Sequence, residues 1–163
     1  MLGSMSDLPI DDPDEIVIPA LLRAARGSYG NAIRLSLAKA GFDDMPRNGS
    51  YVLGGIVNHG GKAQGVAQEL RVSKQAASQL IDTLVLRGYL ERSEHPDDRR
   101  RISVEPTERG QAAAAAIREA VLSVDAALAT MITPDELAGL RQGLLALMEI
   151  REHLEEQLAA GAL

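Results

Sequence analysis

The sequence contains no cysteine. That removes disulfides, thiol redox sensing and thiolate metal sites together, and it fits a cytoplasmic protein. Aromatic residues are 2% of a chain whose hydrophobic content is 45%. The core must therefore be aliphatic, built from Leu, Ala, Val and Ile. No apolar run approaches the roughly 20 residues that span a bilayer. No basic-then-apolar leader opens the chain, so neither a membrane segment nor a signal peptide is expected. His59, His95 and His153 are scattered without metal-ligand spacing. There is no nucleophile–base pair, no phosphate-binding glycine loop and no internal repeat, and the alanine run at 112–116 is the one low-complexity tract. An enzyme, a cofactor and a bound metal are not expected.

What is present is an uneven charge distribution. The net charge of -6 argues against a generally basic, sticky surface. Between residues 62 and 101, however, eight Lys/Arg face six Asp/Glu, while the rest of the chain holds nine against seventeen. An acidic body with one mildly basic segment suits local contact with phosphates. Ordinary scatter would also produce a two-charge excess, so charge alone does not choose.

Residues 1–11 are expected to be disordered, and the four residues ahead of Met5 carry no structural weight. Asp12-Pro13-Asp14-Glu15 then reads as a helix start, with Asp12 as cap, Pro13 at the first position and Glu15 closing the box. A helical apolar pattern from Ile16 continues to about Lys39, and Gly41 stops it. Gly27 and Gly30 leave open whether this is one bent helix or two. Pro46 is expected to open a second helix that buries Tyr51, Val52, Leu53, Ile56 and Val57, and Gly60-Gly61 to end it. Residues 63–71 read as a short third helix. Ser73 caps a fourth, 74–87, which Gly88 closes.

Two short strands, 89–92 and 101–105, flank a turn containing Pro96 and Asp97-Asp98, so they read as a hairpin. Thr107 caps a fifth helix with Ile117, Ala120, Val121, Val124, Leu128 and Met131 on one stripe. Thr133-Pro134-Asp135-Glu136 restarts the chain as a last helix. Its leucines at 137, 140, 144, 147, 154 and 158 approach a heptad seam that Arg151 interrupts.

The helix 74–87 has two unlike faces. Ala77, Leu80, Ile81 and Leu84 fall at i, i+3, i+4 and i+7, while Gln75, Ser78, Gln79 and Asp82 lie on the other side. Long amide and hydroxyl groups suit hydrogen bonding to base edges, and Gln can engage adenine in a bidentate pair. Ser73 and Lys74 sit where a helix N-terminus would meet phosphates. A lone helix of this kind is more simply a solvated surface helix. Its context changes that reading: a short helix, the turn Leu70-Arg71-Val72-Ser73 and a capped helix form a helix-turn-helix arrangement. The consecutive Arg99, Arg100 and Arg101 at the hairpin tip are free to reach a phosphate or a narrow minor groove, with Asp97 or Asp98 able to pair back and hold the tip. A solvated charged turn is the plainer alternative. Together the two elements favour a DNA-binding winged helix. The expected fold class is mainly α with a small β-hairpin wing, a winged helix-turn-helix lobe plus a helical dimerisation region.

Two runs then carry a specific likeness. One is Val72-Ser73, Ser78-Gln79-Leu80-Ile81-Asp82-Thr83-Leu84 and Arg87-Gly88-Tyr89-Leu90-Glu91-Arg92. The other is Pro96-Asp97-Asp98-Arg99-Arg100-Arg101 with Val104, Pro106, Thr107 and Gly110. They resemble the MarR family of transcriptional regulators. Asp97 and Arg99 match the family's Asp-x-Arg wing, and Thr107 and Gly110 its Leu-Thr-x-x-Gly; Pro106 replaces the Leu, and Arg71 stands where Gly is common in the turn. The motifs cover 66–110, and helix order and lengths match over nearly the whole chain.

The resemblance implies a homodimer in which the first and the last two helices of both subunits interlock. The helices themselves point the same way, because they carry more apolar face than one small lobe can cover. The expected division is 1–11 disordered, 12–45 an N-terminal dimerisation segment, 46–106 the winged lobe and 107–160 the C-terminal dimerisation helices. The resemblance also implies double-stranded DNA as partner, an inverted-repeat operator, a repressor's action, and a small-molecule effector bound between dimer stalk and lobe. No motif marks that pocket; Tyr29, Met45, Tyr51 and His59 lie near it. Ser73, Lys74, Gln75, Ser78, Gln79, Asp97, Arg99, Arg100 and Arg101 are the candidate DNA contacts. A winged helix can instead serve as a protein–protein interaction module; three arginines at one tip speak against that.

Overall fold

The structure, a computed structural model, describes residues 16–59, 74–95 and 98–161. Among these it contains five helices and one two-stranded antiparallel hairpin, which is the mainly α, hairpin-bearing fold expected. The expected helix 63–71, the turn ahead of residue 74 and the cap at Ser73 lie outside the described residues. Two compact units divide the chain, residues 1–121 and 122–163.

Helix α1, Ile18–Lys39, is continuous through both glycines. It begins later than the Asp12 start read from the sequence. Val17 is extended at φ -61°, ψ 137°, and Pro19 lies in the first turn. A helix begun at Pro13 would have put Pro19 in its interior, where the ring removes an i→i−4 bond and clashes with the preceding turn. At the C-terminal end Gly41 has φ +80°. Its N–H reaches the Ala38 carbonyl at 3.1 Å and the Phe42 N–H reaches Leu37 at 2.9 Å, a paired closure that glycine favours.

Helix α2, Gly49–His59, also starts later than expected. Pro46 belongs to the preceding turn, where its carbonyl accepts the Gly49 N–H at 2.8 Å. Asn48, at φ 65°, breaks any helix drawn from Pro46. The proline ring explains Gly49, since a Cβ there would lie 2.7 Å from Pro46 Cγ. Val52, Leu53 and Ile56 are buried and Val57 packs against them. Tyr51 does not join that face. It is 40% exposed, and the Arg26 guanidinium sits 5.5 Å from its ring centre.

Helix α3, Lys74–Leu86, buries Ala77, Ile81 and Leu84 as the spacing predicts. Gly88, at φ +72°, closes it, and the Tyr89 N–H returns to Leu84 at 2.9 Å. Strands β1, Leu90–His95, and β2, Asp98–Pro106, are longer than the apolar stretches suggested. Leu90 pairs with Pro106 and Ser93 with Ser103, and the register shifts between Glu94 and His95. Polar residues such as the Ser93–Ser103 pair, hydroxyl to hydroxyl at 2.6 Å, extend the ribbon where no apolar alternation marks it.

Helix α4, Glu108–Met131, starts at Thr107. The Thr107 hydroxyl accepts the Gly110 N–H at 3.0 Å and donates to the Gly88 carbonyl at 2.6 Å. One side chain thus caps α4 and ties it to the end of α3. The core of the first unit joins Ile33 and Leu37 of α1, Leu53 of α2, Leu84 of α3, Tyr89, Leu90 and Val104 of the hairpin region, and Ala113 to Ala120 of α4. Full burial of such aliphatic side chains contributes about 1.5–3 kcal/mol each.

The second unit contains helix α5, Pro134–Ala159. Its expected capping box is present: Thr133 accepts the Glu136 N–H and the Glu136 carboxylate accepts the Thr133 N–H at 2.8 Å. Both contacts hold the Glu136 carboxyl below its ordinary range, the backbone hydrogen bond most. No residue of α5 is buried, and Leu140, Leu144, Leu147, Leu154 and Leu158 of the expected seam are all exposed. Among the described residues no helix is long and apolar enough to cross a membrane.

Candidate nucleic-acid interface

Helix α3 presents the face read from the sequence. Gln75, Ser78 and Gln79 are exposed, on the side opposite the buried Ala77, Ile81 and Leu84. Asp82, on the same outer side, is paired with Arg92 of β1, which ties the helix to the wing strand. The main chain of Lys74 is the first turn of α3. Ser73, Asp97 and the side chains of Lys74, Arg99, Arg100 and Arg101 lie outside the described residues. The main chain of the three arginines runs in β2.

The end of α3 is held by a cluster that the sequence reading missed. Asp44, in the loop between α1 and α2, accepts the Tyr89 hydroxyl at 2.5 Å and the Arg109 guanidinium at 2.7 Å. Its main-chain carbonyl also accepts from Arg87. The Arg109 guanidinium lies 4.7 Å from the Tyr89 ring centre and 5.6 Å from that of Phe42. Such cation–ring contacts are favourable and directional.

The cluster shifts all three of its titrating members. Hydrogen bonding from Tyr89, with the Arg109 charge behind it, holds the Asp44 carboxyl below its usual value. Burial, followed by the bond to Asp44, pushes the Tyr89 hydroxyl up. The hydrogen bond to Tyr89 raises Arg109 further. One signal for Arg109 was legible, its place inside the Thr107-x-x-Gly110 motif. Nothing local pointed to Asp44.

A second feature lies on the other side of the same loop. A cavity of about 1000 Å³ is lined by α1, the α1–α2 loop and the start of α2. Arg23, Arg26, Arg34 and Arg47 line it, against Asp43 as the one acidic group in the lining. Helix α1 carries three Arg and one Lys and no Asp or Glu, a bias visible in the sequence but passed over. Met45 and Tyr51, placed near the effector pocket by resemblance, line this cavity; Tyr29 does not, and the His59 side chain lies outside the described residues.

Residues 43–101 match a family model described as MarR family. A MarR family transcription regulator of solved structure is similar at TM-score 0.70 and 20% identity, over 86% of this chain and 89% of that one. Streptococcus pneumoniae FabT in complex with DNA is similar at TM-score 0.68 and 18% identity, over 83% and 98%. RV1404 from Mycobacterium tuberculosis is similar at TM-score 0.60 and 26% identity, over 80% and 89%. No curated protein matches the chain by sequence.

Proposed function

Starting from a chain with the winged-helix fold of the MarR family and a family match across its α3 and hairpin segment, we propose that it is a sequence-specific DNA-binding transcriptional regulator. It acts in the cytoplasm as a homodimeric repressor on an inverted-repeat operator, and a small-molecule effector releases it. The observation that carries this reading is the outward amide and hydroxyl face of α3, anchored by an apolar face buried in the lobe. In the major groove, Gln75 and Gln79 read base edges while Ser73, Lys74 and Ser78 position the helix on phosphates. The wing, with Asp97, Arg99, Arg100 and Arg101, grips the backbone or the minor groove. FabT, a structural relative, has been seen with DNA bound.

The exposed leucines of α5 and the exposed Ile18, Leu21 and Leu22 of α1 support the dimer. An apolar surface of that extent usually meets a partner. Under a two-fold axis the half-sites would lie about one turn, roughly 34 Å, apart. For the effector, the arginine-lined cavity beside α1 favours an anion, since guanidinium groups bind carboxylates in paired geometry.

Selection of bound duplexes from a random library tests the function. Wild type is expected to enrich an inverted repeat. Gln75→Ala and Gln79→Ala are expected to enrich a different or relaxed sequence, each costing about 1–3 kcal/mol on the original site. No enrichment by wild type would overturn the reading; identical sites from all three proteins would remove these glutamines from base contact.

A further inference from the structure

The loop between α1 and α2 faces two ways. Phe42, Asp43 and Met45 line the arginine-rich cavity. Between them in the chain, Asp44 binds Arg87, Tyr89 and Arg109. Arg87 and Tyr89 are the residues on which α3 ends, and Arg109 is in the first turn of α4. The loop is itself braced, with the Phe42 N–H on Leu37, the Met45 N–H on Phe42 and the Gly49 N–H on Pro46. Its two faces are therefore one covalent and hydrogen-bonded piece. A group pressing on Phe42 or Met45 from the cavity cannot shift them and leave Asp44 in place.

As a stabilising device the cluster is weak. The Arg109 and Asp44 side chains are 42% and 47% exposed, and ion pairs that open to solvent contribute little. As an orienting device it is well built, because three donors from two elements converge on one residue. Tyr89 is fully buried apart from that hydroxyl contact, so its ring fixes the point about which the end of α3 turns.

We propose that Asp44 is a positioning residue that couples the cavity to α3, so that filling the cavity moves the end of the helix and weakens base reading. The proposal rests on the reading of α3 as the DNA-reading helix and takes it one step further, to its regulation.

The absence of cysteine provides the test. Ala38, on the cavity wall and exposed, can be changed by Ala38→Cys to give a single thiol in the full chain. Alkylation with N-ethylmaleimide then fills the cavity with a known group. Affinity is measured for the duplex selected by wild type and for a scrambled duplex at the same salt. With Asp44 intact, alkylation is expected to lower affinity for the selected duplex by about tenfold, with the scrambled duplex little changed. With Asp44→Ala added, the effect of alkylation should fall to about twofold or less. Asp44→Asn, which keeps an acceptor oxygen, should respond in between, and it replaces Asp44→Ala if that variant does not fold. An equal loss in both backgrounds, or none with Asp44 intact, overturns the coupling. Failure of wild type to select any duplex overturns the DNA reading instead.

Discussion

A Cβ on Gly110 would lie 2.0 Å from the carbonyl oxygen of Tyr89. That carbonyl also accepts the Thr107 N–H at 3.1 Å, so neither side can move without breaking the joint between hairpin and α4. Gly110→Ala is therefore expected to destabilise the lobe by about 1–3 kcal/mol or more, the usual range for forcing extra volume into a packed site. The midpoint of urea unfolding checks it, and an unchanged midpoint would mean that the joint yields. The residue was legible in the sequence as a motif match. Its reason was not, because close approach of two backbones leaves no local trace. Tyr51 shows the reverse error. Its spacing placed it on the buried face of α2, but Arg26 meets its ring at the exposed side.

At the scale of elements, caps were read more reliably than starts marked by proline alone. Thr133 and Glu136 form the capping box that their spacing announces. Thr133→Ala is expected to cost about 1 kcal/mol. Glu136 adds a pH dependence. Its folded pKa is depressed by the Thr133 contacts. Its contribution is thus fully present above the ordinary carboxylate value and is lost as pH falls through the lower folded value. Glu136→Gln should lower the thermal midpoint at neutral pH and converge with wild type in acid. A gap that persists below that folded value would show that charge is not the cause. Pro13 and Pro46 misled for a shared reason. Proline marks the first turn of a helix and also a tight turn before one, and the choice was made by Pro19 and by Asn48, each a few residues further on.

For the whole molecule the open question is what covers α5. A 26-residue helix with no buried residue is poorly supported by its own chain, since most helical stability comes from packing an apolar face. Removal of residues 133–163 is expected to convert a dimer into a monomer, as sedimentation would report. A fragment that remained dimeric would relocate the interface to α1 and the first unit. The wing pairing and the lobe core lie within residues 1–121, so this fragment should keep weak, salt-sensitive DNA binding while losing preference for an inverted repeat.

Element order, the two faces of α3 and the stops at Gly41 and Gly88 were determined by the sequence itself. Each depends on a local quantity: a 3.6-residue period, or one residue that accepts positive φ. The Asp44 cluster was decided by the tertiary structure, because its members lie 45 and 65 residues apart in the chain. So was the cavity, which brings the arginines of α1 against the loop that follows it. Side chains that meet only after the chain has folded share no period and no spacing, and it is packing of the aliphatic core that sets them within hydrogen-bond reach.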